Sequence, residues 1–446
     1  MSEKKWYEQT TFYHIYPLGF CGDRIGKMKS PIKKITQYLE YIHHLGFTGI
    51  YLGPLFESIS HGYDTTDYFK VDGRLGDNND LRELIRKAHD LGIRVILDGV
   101  FNHVGRNFFA FQDILQKREN SQYLDWFSAL DFQSDNRHHD GFSYHTWESH
   151  EELVQLNLRS ESVKGYLFEA IRSWVRDFDI DGLRLDAADC LDLEFLKHLR
   201  YHTRTLKEDF WLMGEIIHGD YNQWACEDKL HSVTNYECYK GLYSSFNDRN
   251  FYEIAYSLNR QFGKCGIYQN KHHYNFLDNH DVDRIASKLL RHIDLFPLHI
   301  LLYTIPGVPS IYYGSEWAIT GKRTSSSDLA LRPVFDLDLF KRQTEFGDLS
   351  QLIQRLNMIR KGHLSLSQGD YTQIYLDHSQ LIFKRESDKE KIYIGINASD
   401  QEFVYHFEDC DTGQMDILND RKPEFTNGKL SMRLYPNWGS IIIHNK

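Results

Sequence analysis

The chain has 446 residues, of which 41% are hydrophobic and 26% charged, with a net charge of −11. That length exceeds one compact core, so two or three domains are expected, and the composition is that of an ordinary globular protein. The acidic balance argues against a nucleic-acid partner, and no run of about 18 apolar residues is present to span a membrane.

The opening segment, MSEKKWYEQT, carries no apolar stretch, so no signal peptide is expected and a cytoplasmic location follows. The six cysteines form no CxxC pair, which fits free thiols in a reducing compartment. Tyr13–Pro17 reads as a first strand, and 31–45 as a helix stopped at Gly46. Thr48–Leu52 is a second strand, 80–91 a helix stopped at Gly92, and Ile93–Leu97 a third strand. Continuous apolar strands separated by helices indicate a parallel sheet covered by helices.

Between 104 and 160 that alternation breaks into a stretch rich in His, Asp, Asn and aromatics. It reads as an insertion from the end of the third strand. Within it, the run Asp135–Asp140 reads as a solvated loop rather than a metal site. A helix at 161–177 and a strand at 182–185 resume the pattern. Phe210–Gly214, Ser232–Asn235, His273–Leu277 and Ser310–Tyr313 bring the strands to eight. The expected class is therefore α/β: a (β/α)8 TIM barrel over 1–103 and 161–362, with 104–160 inserted after strand three. Helical periodicity ends near 363, and 363–446 reads as a small all-β domain of sandwich type.

Barrel enzymes carry their chemistry at the carboxyl ends of the strands. Strand three ends in Asp98-Gly99-Val100-Phe101-Asn102-His103, and strand four in Arg184-Leu185-Asp186-Ala187. Strand five ends in Gly214-Glu215, and strand seven in Asp278-Asn279-His280-Asp281. One such Asp is unremarkable as a cap or turn residue. Four strands delivering acids to one rim repel one another, and function is the usual reason to tolerate that. Two carboxylates at one site are the toolkit for glycoside cleavage: one attacks the anomeric carbon, and the other protonates the leaving oxygen and then activates water. The residues alone do not say which acid takes which role.

These segments resemble the signature regions of the α-amylase family of retaining α-glucoside enzymes, over the whole chain. The likeness includes Gly46–Leu52, His61–Tyr68 and Gly307–Gly314. It implies Asp186 as nucleophile, Glu215 as general acid/base and Asp281 as the third acid, holding sugar hydroxyls. His103 and His280 are implied as hydrogen-bond donors to the same sugar, Tyr63 as its stacking partner, and Arg284 as a positioning arginine. Arg184 is implied as the cation holding Asp186 ionised; two residues apart, both side chains leave one strand face. Glu215 has no such neighbour in sequence, so it is expected to stay protonated. Asp98 and Asn102 are implied to be architectural. No cofactor is expected, although in calcium-bearing members the Asn at position 102 is a metal ligand.

Within that family the texture is similar to the neopullulanase, cyclomaltodextrinase and maltogenic amylase group, including Leu153–Leu158 and Gly214–His218. Ile217 stands where that group commonly has Trp, and Cys190 where it often has Glu. Strand one starts near residue 12, which leaves no room for the N-terminal β domain that group usually carries. Ala187 points to α-1,4 rather than α-1,6 bonds. The expected partner is a small oligosaccharide or cyclic α-glucan. The expected function is retaining hydrolysis of α-1,4 bonds in maltooligosaccharides, cyclodextrins or related short glucans. Transglycosylation or isomerisation at the same site is the alternative, and a non-catalytic binding or transport-partner role the remote one.

Overall fold

A computed structural model describes residues 5–22, 29–325, 327–343, 347–408, 415–426 and 429–445. Eight short strands form the central sheet: β1 Phe12–Ile15, β2 Gly49–Leu52, β3 Arg94–Gly99, β4 Gly182–Leu185, β5 Trp211–Gly214, β6 Ser232–Val233, β7 Tyr274–Asn275 and β8 Val308–Tyr312. They run parallel in the order β6-β5-β4-β3-β2-β1-β8-β7. A parallel bridge from Thr234, just past β6, to Tyr274 of β7 closes the ring. The expected TIM barrel is therefore present.

Local sequence explains the covering helices. Helix Asn78–Asp90 begins with a reciprocal capping box between Asp77 and Asp80. Ser160 and Asp192 cap the helices Glu161–Phe178 and Leu193–Leu206 with their side-chain oxygens. Helix Leu295–Thr304 is buried at all ten positions, because it lies between the barrel and the C-terminal sheet.

One end of the barrel is plugged by aromatics. Trp211 of β5 stacks between Tyr7 and Phe12, with ring centroids 5.4 and 5.1 Å apart. The same cluster takes in Ile96, Met213, Tyr274 and Val308. The barrel is a filled core at this end, and its polar residues collect at the carboxyl ends of the strands.

In the insert, strand His150–Gln155 pairs antiparallel with His103–Gly105 and with Thr146–Trp147. Phe111, Phe127, Phe142 and Tyr144 supply its buried interior. Asp140 is held by Arg106 at 2.8 Å, and among the described residues no group of His, Cys, Asp and Glu is placed to hold a metal ion.

The C-terminal region has a five-stranded and a three-stranded antiparallel sheet. Ile382, Tyr393, Phe407, Leu430, Met432, Leu434 and Ile442 form one core there. Two buried arginines join it to the barrel. Arg385 donates to the carbonyls of Thr304, Leu366 and Gly369, and Arg360 to those of Tyr303, Leu366 and Gly307. They satisfy carbonyls left open where helices end.

Just past β8, the fully buried Glu316 accepts hydrogen bonds from Tyr13 (2.8 Å) and Tyr41 (3.0 Å). Trp317 donates to the same Tyr41 hydroxyl at 2.7 Å, so it wedges against the barrel wall. Burial pushes the Glu316 carboxyl up, against the two tyrosine hydrogen bonds. An acid raised in the folded state contributes stability that is complete below its unfolded value, about 4.3, and is lost as pH rises through the folded value. Glu316→Gln removes that loss. Its melting temperature relative to the parent should rise between pH 4 and pH 8; a difference constant across that range would show that Glu316 is not protonated.

Candidate active site

The strand register assembles the site. Asp98 of β3 lies beside Arg184 of β4, and Arg184 beside Met213 of β5, one residue short of Gly214-Glu215. Arg184 is buried and is the hub. Its Nη1 contacts Asp98 Oδ1 and Asp186 Oδ1, each at 2.9 Å, and its Nη2 lies 2.6 Å from Glu215 Oε2. Asp98 also accepts from the hydroxyls of Tyr51 (2.8 Å) and Tyr63 (3.1 Å). A buried guanidinium is tolerated because both of its terminal nitrogens meet carboxylates.

This geometry corrects one expectation. Glu215 is not free of a cation: Arg184 holds it as closely as it holds Asp186. The i, i+2 spacing made one contact visible, whereas the other exists only because β5 lies next to β4. Burial pushes both carboxyls up, against Arg184; Asp186 is raised further by Glu215, and Glu215 by Asp281.

Across the rim, Asp281 meets His280 Nε2 at 2.8 Å and Arg332 Nη2 at 3.1 Å. Burial acts to raise this acid, but His280 and Arg332 outweigh it and hold Asp281 well below the usual range. Tyr63 hydrogen-bonds His280 Nε2 and stacks on its ring, and Tyr16 stacks on it as well, at 5.4 and 5.7 Å between centroids. His103 Nε2 lies 4.0 Å from Asp186 Oδ2, and burial pushes its ring down to about 4, so it is neutral at pH 7.

Seven of the eight candidates therefore gather at one rim: Tyr63, His103, Arg184, Asp186, Glu215, His280 and Asp281. Arg284 does not join them. Its side chain is fully buried, donates to the Tyr313 carbonyl at 2.7 Å, and lies 4.0 Å over the Tyr312 ring. The arginine that contacts Asp281 is Arg332, which also donates to the His280 carbonyl (3.0 Å) and the Tyr16 hydroxyl (3.3 Å). It lies 51 residues past Asp281 in irregular chain after β8, where no spacing pattern pointed to it. Buried His14 was also missed: it stacks on Tyr51 at 4.2 Å and meets the His280 ring edge at 5.3 Å. In sequence it reads as one residue of an apolar strand.

Asn102, which the resemblance implied to be a metal ligand only in calcium-bearing members, has its carboxamide 3.2 Å from His103 Nδ1 and 3.5 Å from Gln155 Nε2. The described residues supply no acidic cluster to accompany it. Beside it, a cavity of about 660 Å³ opens between the insert and the chain after β4, lined by residues including Ser128, His145, Gln155, Arg159 and Cys190.

Comparison with known proteins identifies the family. The family model for the α-amylase catalytic domain matches residues 14–355. A cyclomaltodextrinase of Geobacillus thermopakistaniensis (strain MAS1) is 32% identical over 424 residues, 89% of this chain and 70% of that protein. An intracellular maltogenic amylase of Bacillus subtilis (strain 168) is 30% identical over 415 residues, 87% of this chain and 68% of its own length. A solved cyclomaltodextrinase structure superposes with a TM-score of 0.86 at 25% identity, covering 98% of this chain and 78% of that one. With its barrel, its ring of acids and these relatives, the chain belongs to the α-amylase family of glycoside hydrolases.

Proposed function

We propose that this enzyme hydrolyses α-1,4 bonds of short α-glucans, linear or cyclic, with retention of anomeric configuration. The observation that carries the reading is the Arg184 hub, which places Asp186 and Glu215 on one guanidinium, with Asp281 across the rim. Asp186 Oδ1 is held by Arg184 while Oδ2 faces the rim near His103, so Oδ2 is the attacking oxygen. In the first step the Asp186 Oδ2–carbon bond forms as the glycosidic C–O bond breaks, and Glu215 gives its proton to the leaving oxygen. In the second, Glu215 takes a proton from water, the water oxygen bonds the anomeric carbon, and Asp186 leaves as carboxylate.

Asp281, held ionised by His280 and Arg332, accepts hydrogen bonds from sugar hydroxyls. Among the described residues His103 Nε2 has no hydrogen-bond partner, and it faces the same place. The polar cavity beside Cys190 offers room for further sugar units. The relatives named cyclomaltodextrinase and maltogenic amylase support this substrate class. The intracellular relative supports a location inside the cell, and no helix among the described residues is long and apolar enough to cross a membrane.

Maltotriose followed by proton NMR tests the proposal. Hydrolysis with retention predicts α-anomeric products first, with the β-anomer growing in later by mutarotation. Initial β-product would rule out the covalent route, and longer products would identify transglycosylation.

A further inference from the structure

We propose that the groove between helices Glu161–Phe178 and Leu193–Leu206, on the outer wall of the barrel, is a second, non-catalytic site that takes one or two glucose units. The inference rests on the glucan-hydrolase reading above for the identity of the ligand, and on the groove itself for its place.

The two helices present matching faces. On the first, Glu161, Lys164, Gly165 and Phe168 are spaced i, i+3, i+4 and i+7, so they share one side. On the second, His198, Tyr201 and His202 do the same. Between these faces opens a cavity of about 360 Å³. Small-molecule sites run from roughly 300 to 1,000 Å³, so this one admits a mono- or disaccharide but not a long chain. The helices lead into and out of β4, and none of the lining residues belongs to the rim of acids.

The lining has the chemistry of a sugar site. Its floor is a ring pair, Phe168 and His202, stacked at 4.7 Å and 11°. His202 is fixed there because its Nε2 donates to the Phe168 carbonyl at 3.0 Å. Tyr201 stands at the mouth, 75% exposed. Flat apolar rings suit the C–H face of a pyranose. The polar wall is built around a buried cation: Lys164 Nζ donates to Glu161 Oε1 at 2.6 Å and to His198 Nδ1 at 3.5 Å. An ammonium carries three N–H groups, so these two bonds leave one for a ligand. The Glu161 side chain is 87% exposed, and its carboxylate keeps lone pairs for a hydroxyl. The two charges cancel, which favours a neutral polyhydroxyl ligand over an anion or a cation.

Gly165 keeps the groove open. It stands exposed inside an 18-residue helix, where glycine lowers helix stability relative to alanine. A Cβ at this position would have nothing within 4 Å, so no packing demands the glycine. Its missing side chain leaves the space beside Lys164 and Phe168 clear.

Maltose titrated into Asp186→Asn, which stops turnover, tests the proposal. The ring C–H signals of labelled histidine, assigned for His198 and His202 by His→Gln replacement, report the groove by NMR. We expect saturable shifts of both rings with a millimolar Kd. Gly165→Leu, which fills the groove, and Tyr201→Ala should each weaken that Kd about fivefold or more. Introduced singly into the active parent, both should leave kcat on maltotriose within about twofold. The melting temperature of Gly165→Leu should hold or rise, because leucine is the better helix former, and this separates a filled groove from a lost fold. Rings that do not respond up to about 100 mM maltose, with a parent active on maltotriose, would overturn this inference alone. So would shifts that persist unchanged in Gly165→Leu, which would place the sugar elsewhere. A parent that neither hydrolyses nor binds maltotriose would remove the glucan reading and this inference with it.

Discussion

Asp186→Asn should lower kcat on maltotriose by about 10⁴-fold or more, because it removes the atom that forms the covalent bond. The fold should survive, since an Asn carbonyl still accepts from Arg184 Nη1, which lies 2.9 Å from Asp186 Oδ1. Melting temperature therefore separates lost chemistry from lost structure. Glu215→Gln should be comparably slow on maltotriose but differ in its leaving-group dependence. α-Glucosyl fluoride departs without protonation, so Glu215→Gln should still form the glycosyl-enzyme from it, and a burst of fluoride release follows. Asp186→Asn should give no burst. Equal behaviour of the two variants with the fluoride would overturn the assignment of roles, which the Arg184 contacts alone do not make.

The second large effect is expected at Arg184. Arg184→Met keeps the bulk of the side chain and removes the charge that Asp98, Asp186 and Glu215 share. Breaking a buried ion cluster from one side costs about 3–5 kcal/mol, because the uncompensated carboxylates stay buried. The sign of the pH dependence follows. Without the cation Asp186 and Glu215, already raised by burial, are pushed up further in the folded state, so the variant loses stability as pH rises through their folded values. The deficit in melting temperature relative to the parent should be larger at pH 7 than at pH 4. A deficit independent of pH would mean that packing, not charge, sets the role of Arg184. Activity should be lost with it, since neither acid keeps its position. Arg184→Lys should not restore function, because a point charge cannot bridge Asp186 and Glu215 as a fork does.

Legibility in the sequence followed the physics of each residue's neighbours. The eight strands announced themselves as short apolar runs between capped helices, because both faces of a barrel strand are buried. Asp186, Glu215 and Asp281 were visible because barrel topology sends whatever follows a strand to one rim. Arg184 and Asp186 were readable as a pair because alternation along a strand puts i and i+2 on one face. The insert was recognisable as a break in rhythm and by its Leu153–Leu158 segment, but the placement of its side chains against the rim left no trace in composition or spacing.

What the sequence by itself determined, then, is the barrel, the small β domain and the identity of the rim acids, all of which depend on local periodicity and strand ends. Only the tertiary structure decided how those acids are paired. β5 lies against β4, so Arg184 reaches Glu215 as well as Asp186. The chain after β8 folds back so that Arg332 meets Asp281 at 3.1 Å, while Arg284, three residues from Asp281, turns into the wall under Tyr312. Charge pairing in a buried site depends on distances of a few ångströms between distant segments, and separation along the chain says nothing about them.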